Sequence, residues 1–198
     1  GTSYIYQGEE IGMTNIKLDT IDEYKDIETL NMYKEKREAG WSHEDIMKAV
    51  YTKGRDNART PVQWDDSDYA GFSPRGSWIP VNPNYKQINV KNALEDPNSI
   101  YYYYKKLIEL RKNLNTVTYG NFEHLLYDHP EVFAYKRKCM YQEVIVICNF
   151  YSNKVKVELP KDMPFEDYEL VITNDKERNL EQEMMLNPYE AVVYIRDL

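Results

Sequence analysis

Cysteine and histidine are scarce in this chain. Cys139 and Cys148 are its two thiols, and His43, His124 and His129 its three imidazoles. That set excludes a disulfide-dense scaffold and offers no zinc-binding spacing. The two cysteines fall on neighbouring segments that read as strands, so buried free thiols are expected. Positive charge is also in deficit: 25 Lys and Arg against 33 Asp and Glu leave a formal net charge of −8. Such a balance repels nucleic acid and anionic membrane surfaces. No apolar run approaches the ~20 residues of a membrane span, and no segment reads as a signal peptide. No Asp/Asn loop has the spacing of calcium ligands. These absences predict a soluble, cytoplasmic protein with no metal and no cofactor, and with neither nucleic acid nor membrane as a partner.

Tyrosine, by contrast, is abundant, with 19 copies. Its large apolar ring with a polar tip suits partly wet surfaces, whether a sugar site or a protein interface. The most informative stretch is Arg55-Asp56-Asn57-Ala58-Arg59-Thr60-Pro61-Val62-Gln63-Trp64-Asp65. It has no hydrophobic period, follows Gly54 and is broken by Pro61, so it is neither a half-buried strand nor an amphipathic helix. Guanidinium forks grip hydroxyls and carboxylates in fixed geometry, and an indole offers a flat apolar face. The mix fits the wall of a site for a hydroxyl-rich ligand. An arginine-stapled surface loop is the alternative.

The pattern along the chain changes character once. Tyr4-Ile5-Tyr6, closed by Gln7-Gly8 and two carboxylates, reads as a short buried parallel strand. Its partners must be distant strands of this chain or lie upstream in a longer protein. Helices are predicted over 26–38, where the stripe is ragged, and over 43–53, behind a capping box at Ser42-His43-Glu44-Asp45. Residues 55–97 are rich in Pro, Gly and Asn without strong periodicity, yet carry spaced aromatics, so an ordered, packed loop is expected. Ser99 opens the clearest helix. After Asn115, alternating runs at 122–126, 132–137, 144–150, 155–159, 168–173 and 191–195 predict an antiparallel β-sandwich or barrel.

Gly1-Thr2-Ser3-Tyr4-Ile5-Tyr6-Gln7-Gly8-Glu9-Glu10-Ile11-Gly12-Met13-Thr14-Asn15 closely resembles the last barrel strand of α-amylase-type glycoside hydrolases of the oligo-1,6-glucosidase group. The segments 24–33, 55–65, 81–85, 88–90 and 102–112 continue the resemblance, which covers essentially the whole chain. Ser3, where the family usually has proline, and the Pro74–Trp78 stretch depart from its pattern. The fold class implied is α/β followed by all-β. Residues 1–115 would supply the last strand and helices of a (β/α)8 barrel, and 116–198 an antiparallel β-sandwich.

The resemblance implies a retaining α-glucosidase acting on α-1,6 bonds of short isomalto-oligosaccharides. Its nucleophilic Asp, acid/base Glu and stabilising Asp would lie before Gly1, so no catalytic residue is expected here and the 198-residue piece is expected to be inactive. Its substrate-binding residues would be Arg55, reaching the terminal glucose, and Glu28, near the leaving-group sugar. For Glu28 the rival reading is a helix-N-terminal acid favoured by the dipole, a role open to Asp26 as well. Arg59 is read as a loop holder, Glu9 and Glu10 as structural acids, and Trp64 and Trp78 as packing residues rather than sugar platforms. A trehalose-6-phosphate hydrolase of the same family, a non-catalytic relative and a stand-alone β-sandwich interaction module remain the alternatives.

Overall fold

A computed structural model of the protein describes residues 2–198; Gly1, the first residue of the motif above, lies outside them. The chain divides into two compact units, residues 2–104 and 105–198.

In the first unit, helix α1 (Ile27–Glu38) is capped by the Asp26 side chain, which accepts the Thr29 N–H. Gly40, at φ 86°, carries the left-handed backbone that ends it. Helix α2 (His43–Lys53) starts on Ser42, whose hydroxyl accepts the Asp45 N–H. The Asp45 carboxylate returns to that hydroxyl at 2.7 Å instead of to a backbone amide, a side-chain version of the predicted box. The α2 residues Ile46, Met47 and Val50 are buried with Ile16, Leu18 and Tyr24, and Leu30, Met32 and Tyr33 of α1 pack against them. The ragged stripe of α1 has a visible result: of its residues only Thr29 is buried, and Ile27 is exposed.

The long loop is ordered mainly by side-chain amides. Asn82 Nδ2 donates to the Thr14 carbonyl at 3.0 Å and to that of Asn15 at 3.2 Å. Asn89 Oδ1 accepts the Asn92 N–H and so starts the short helix α3 (Val90–Glu95), which sequence periodicity did not reveal. Backbone bonds from Val90 to Gln63 and from Lys91 to Trp64 close the loop on itself. Among the described residues Trp64 and Trp78 enter no core: they are 51% and 67% exposed. Polar stitching, and not an aromatic core, holds this segment.

Tyr4-Ile5-Tyr6 forms no strand, and Tyr4 is 92% exposed. A strand needs a neighbour for its N–H and C=O groups, and no strand among the described residues pairs with this one. The turn that follows depends on Gly8 at φ 92°, where a Cβ would sit 2.6 Å from Met13 Sδ. Glu10 closes the turn by accepting the Gly8 N–H, and Glu9 accepts the Tyr104 hydroxyl.

Helix α4 (Ile100–Asn113) runs across the division between the units. Its apolar stripe is regular, yet no residue of it is buried, and Ile100, Leu107 and Ile108 stay more than a third exposed. Helix α5 (Asn115–Tyr119) then leads into the strands.

The second unit is built from β1 (Asn121–Leu125), β2 (Val132–Lys138), β3 (Gln142–Asn149), β4 (Val155–Glu158), β5 (Glu169–Thr173), β6 (Glu183–Leu186) and β7 (Ala191–Asp197). Five strands form one antiparallel sheet in the order β1-β2-β3-β7-β5, and β4 pairs with β6 in a second. Alternation fixes the facing: Ala134, Ile145, Ile147, Val192 and Tyr194 of the first sheet meet Val155, Val157, Met184 and Leu186 of the second in one core. This is the predicted β-sandwich. Strand β6 went unread because four residues in a Met-rich stretch are too few to show a period. Cys139 and Cys148 are free, as expected, but partly rather than fully buried.

Candidate functional site

Two elements of the first unit converge: the start of α1 and the tight turn over Arg55–Arg59 that follows α2. Their contact is organised by two buried carboxylates. Asp56 is fully buried, and its Oδ2 accepts the Lys25 N–H at 2.6 Å and the Asp26 N–H at 3.1 Å. It therefore ties the chain entering α1 to the turn leaving α2. Its other oxygen, Oδ1, has no hydrogen-bond partner among the described residues, where Arg59 Nη2 stands 3.8 Å away.

Asp26, with a side chain 3% exposed, divides its two oxygens between two tasks. Oδ2 caps α1 through the Thr29 N–H at 3.1 Å and the Thr29 hydroxyl at 2.8 Å. Oδ1 accepts from Arg55 Nε at 3.3 Å and from Arg59 Nη2 at 2.9 Å. Burial works against the Asp26 charge, but the Thr29 bonds and the two guanidiniums outweigh it and hold the carboxyl below its usual range. Arg59 also donates to the Arg55 carbonyl, which makes it the loop holder its position predicted.

Arg55 and Glu28 lie at the surface of this arrangement. Arg55 Nη2 stands 2.9 Å from Glu28 Oε2, with the two side chains 60% and 72% exposed. Glu28 also occupies the first turn of α1, where the helix dipole favours an acid. A cavity lined by Asp26, Glu28, Thr29, Met32, Val50 and Arg55 opens at the pair. A second cavity is lined by Tyr6, Glu9, Met13, Asn15, Asn57 and Thr60 among others. Asn57 Oδ1 accepts the Ile16 N–H and so fixes that wall. Chemically, the exposed pair offers a guanidinium edge and a carboxylate within reach of adjacent hydroxyls, a combination that binds polyols by charge-assisted hydrogen bonds.

The residues missed by sequence reasoning are Asp26, seen only as a helix-end acid, and Asp56. An Asp three residues before a Thr at a helix start is a legible capping signal. The reach of Asp26 to arginines 29 and 33 positions away has no local signature.

Residues 1–120 match the family model described as "Alpha amylase, catalytic domain". The chain belongs to the alpha-amylase family. A second model, the alpha-amylase SusG C-terminal domain, matches residues 132–193. An oligo-1,6-glucosidase of Bacillus cereus is 54% identical to this alpha-amylase-family chain over 196 residues, which is 98% of the chain and 35% of that relative. A trehalose-6-phosphate hydrolase of Bacillus subtilis (strain 168) is 45% identical over 196 residues, with the same coverage. The crystal structure of Bacillus licheniformis trehalose-6-phosphate hydrolase (TreA) superposes with a TM-score of 0.94 at 44% identity, covering all of this chain and 36% of that one. The chain thus spans about a third of the length of the relatives it matches. Among the described residues, no helix is long and apolar enough to cross a membrane.

Proposed function

We propose that this chain is the C-terminal part of a cytoplasmic α-glucosidase that hydrolyses α-1,6-glucosidic bonds of short isomalto-oligosaccharides with retention. Residues 1–115 contribute to its catalytic barrel, with Tyr4-Ile5-Tyr6 as a barrel strand and the open stripe of α4 packed on barrel residues outside this chain. Residues 116–198 form a stabilising sandwich. Retaining hydrolysis needs two carboxyl groups about 5–5.5 Å apart, one attacking the anomeric carbon and one protonating the leaving oxygen. Those groups lie in the remainder of the enzyme. Arg55 and Glu28 bind substrate, Arg55 at the terminal glucose and Glu28 at the sugar beyond the scissile bond.

The observation that carries this reading is the exposed Arg55–Glu28 pair, held at 2.9 Å on a buried carboxylate support. A solvent-facing ion pair contributes little to stability, so its fixed geometry is better accounted for by ligand binding. The 54% identity to an oligo-1,6-glucosidase supports the α-1,6 preference. The identity and structural match to trehalose-6-phosphate hydrolases keep that activity as the second reading.

The test is Arg55→Ala in the full-length enzyme, assayed on isomaltose, trehalose 6-phosphate and p-nitrophenyl α-glucoside. Losing a charged hydrogen bond to a sugar hydroxyl costs about 1.5–3 kcal/mol, so kcat/KM is expected to fall roughly 10- to 150-fold on the true substrate. An unchanged kcat/KM on all three refutes the assignment. The 198-residue chain by itself is expected to release no p-nitrophenol.

A further inference from the structure

We infer that Asp26 is a positioning residue for substrate binding, acting through Arg55; this rests on the substrate-binding reading of Arg55 given above. A guanidinium at the end of a flexible side chain grips a sugar well only if its plane is fixed before the sugar arrives. Asp26 supplies that constraint from below. Its Oδ1 accepts from Arg55 Nε at 3.3 Å, while Glu28 holds Nη2 at 2.9 Å from the outside. Two points of attachment, on Nε and on Nη2, define the plane of the fork. The Glu28 contact is exposed and screened, whereas the Asp26 carboxylate is 3% exposed and retains its strength. The same Oδ1 binds Arg59 at 2.9 Å, so the carboxylate cannot follow Arg55 if that side chain swings away. Oδ2 is locked separately by Thr29 at the helix start. Arg55 is therefore anchored to the first turn of α1 rather than to its own loop.

Asp26→Ser in the full-length enzyme separates this role from the capping role. Serine still accepts the Thr29 N–H as an N-cap, but its single short hydroxyl has no second oxygen for the arginines. The expected result is a rise in KM of about tenfold with kcat within twofold, the signature of lost ground-state grip. In an Arg55→Ala background, Asp26→Ser is expected to add less than twofold, because the group it positions is already gone. An equal KM rise in both backgrounds, or a fall in Tm with KM unchanged, overturns the inference and leaves the role of Arg55 standing. If Arg55→Ala alone has no effect on any α-glucoside, the binding reading fails first and the inference falls with it. Should Asp26→Ser not fold, Asp26→Asn takes its place in the same comparison. Failure of both to fold overturns the inference by making Asp26 a scaffold group.

Discussion

Removing the Glu190 carboxylate should be among the most damaging single changes available in the second unit. Glu190 is 1% exposed at the turn from β6 to β7. It accepts from Arg178 Nη2 in a close ion pair and from the Asn187 N–H at 2.6 Å. Arg178 in turn donates to the Met185 carbonyl at 2.7 Å, and Tyr189 beside it sits at φ 57°. Two strands and a strained turn therefore meet on one side chain. Glu190→Ala strands a partly buried cation and orphans a backbone amide, which together cost about 3–5 kcal/mol. Against a typical stability of about 5–15 kcal/mol, that is a large fraction. A urea titration followed by far-UV circular dichroism reads it: with m of about 1–1.5 kcal/mol per M, the sandwich midpoint moves down by about 2–5 M. Trp41, Trp64 and Trp78 all lie in the first unit, so tryptophan fluorescence on the same samples serves as the control. Adding Arg178→Leu should restore stability in part by removing the stranded cation. A loss below about 1 kcal/mol, or a double variant no better than the single one, refutes the reasoning.

Acid should weaken the sandwich through Glu143. Burial disfavours its charge, but the Tyr168 hydroxyl and the Arg196 guanidinium hold its carboxyl below the ordinary value. A depressed folded value means that its stabilisation is complete above the unfolded value of about 4.3 and is lost as pH falls through the folded one. The Tm difference between the parent and Glu143→Gln should therefore shrink below about pH 4; a constant difference from pH 3 to 6 contradicts this. The two thiols should also separate kinetically. Burial pushes Cys148 up to about 11, whereas the Thr116 hydroxyl lowers Cys139. Pulsed alkylation at pH 8 with mass detection should label Cys139 at least about tenfold faster, and Cys139→Ser should remove the fast phase.

Much of the fold is legible because its determinants are local. Ser42 and Asp45 announce α2 within four residues, and the alternation in 132–137 and 144–150 assigns each side chain to a face without knowledge of the partner strand. Where partners decide, a local pattern is not enough. Tyr4-Ile5-Tyr6 has strand composition, yet no strand among the described residues stands beside it. The stripe of α4 has helical spacing, yet periodicity cannot say whether a surface is present to receive it. The ordinary preference of indoles points to packing for Trp64 and Trp78, but no surface among the described residues receives them. The resemblance marks Arg55 and Glu28 singly, and their pairing is a finding of the structure. Its support on Asp26 and Asp56 joins residues about thirty positions apart, a link that no local pattern encodes.

The asparagines that stitch the long loop also set how it ages. Asparagine is among the more heat-labile side chains, and hydrolysis to aspartate exchanges an amide donor for a negative oxygen. At Asn89, which is followed by Val90 and not by a proline, that oxygen would face the carbonyl of Tyr85, turning a clasp into a repulsion. Prolonged warmth should then open residues 55–97 by slow chemical wear while the core of α2, built on Ile46, Met47 and Val50, is still intact.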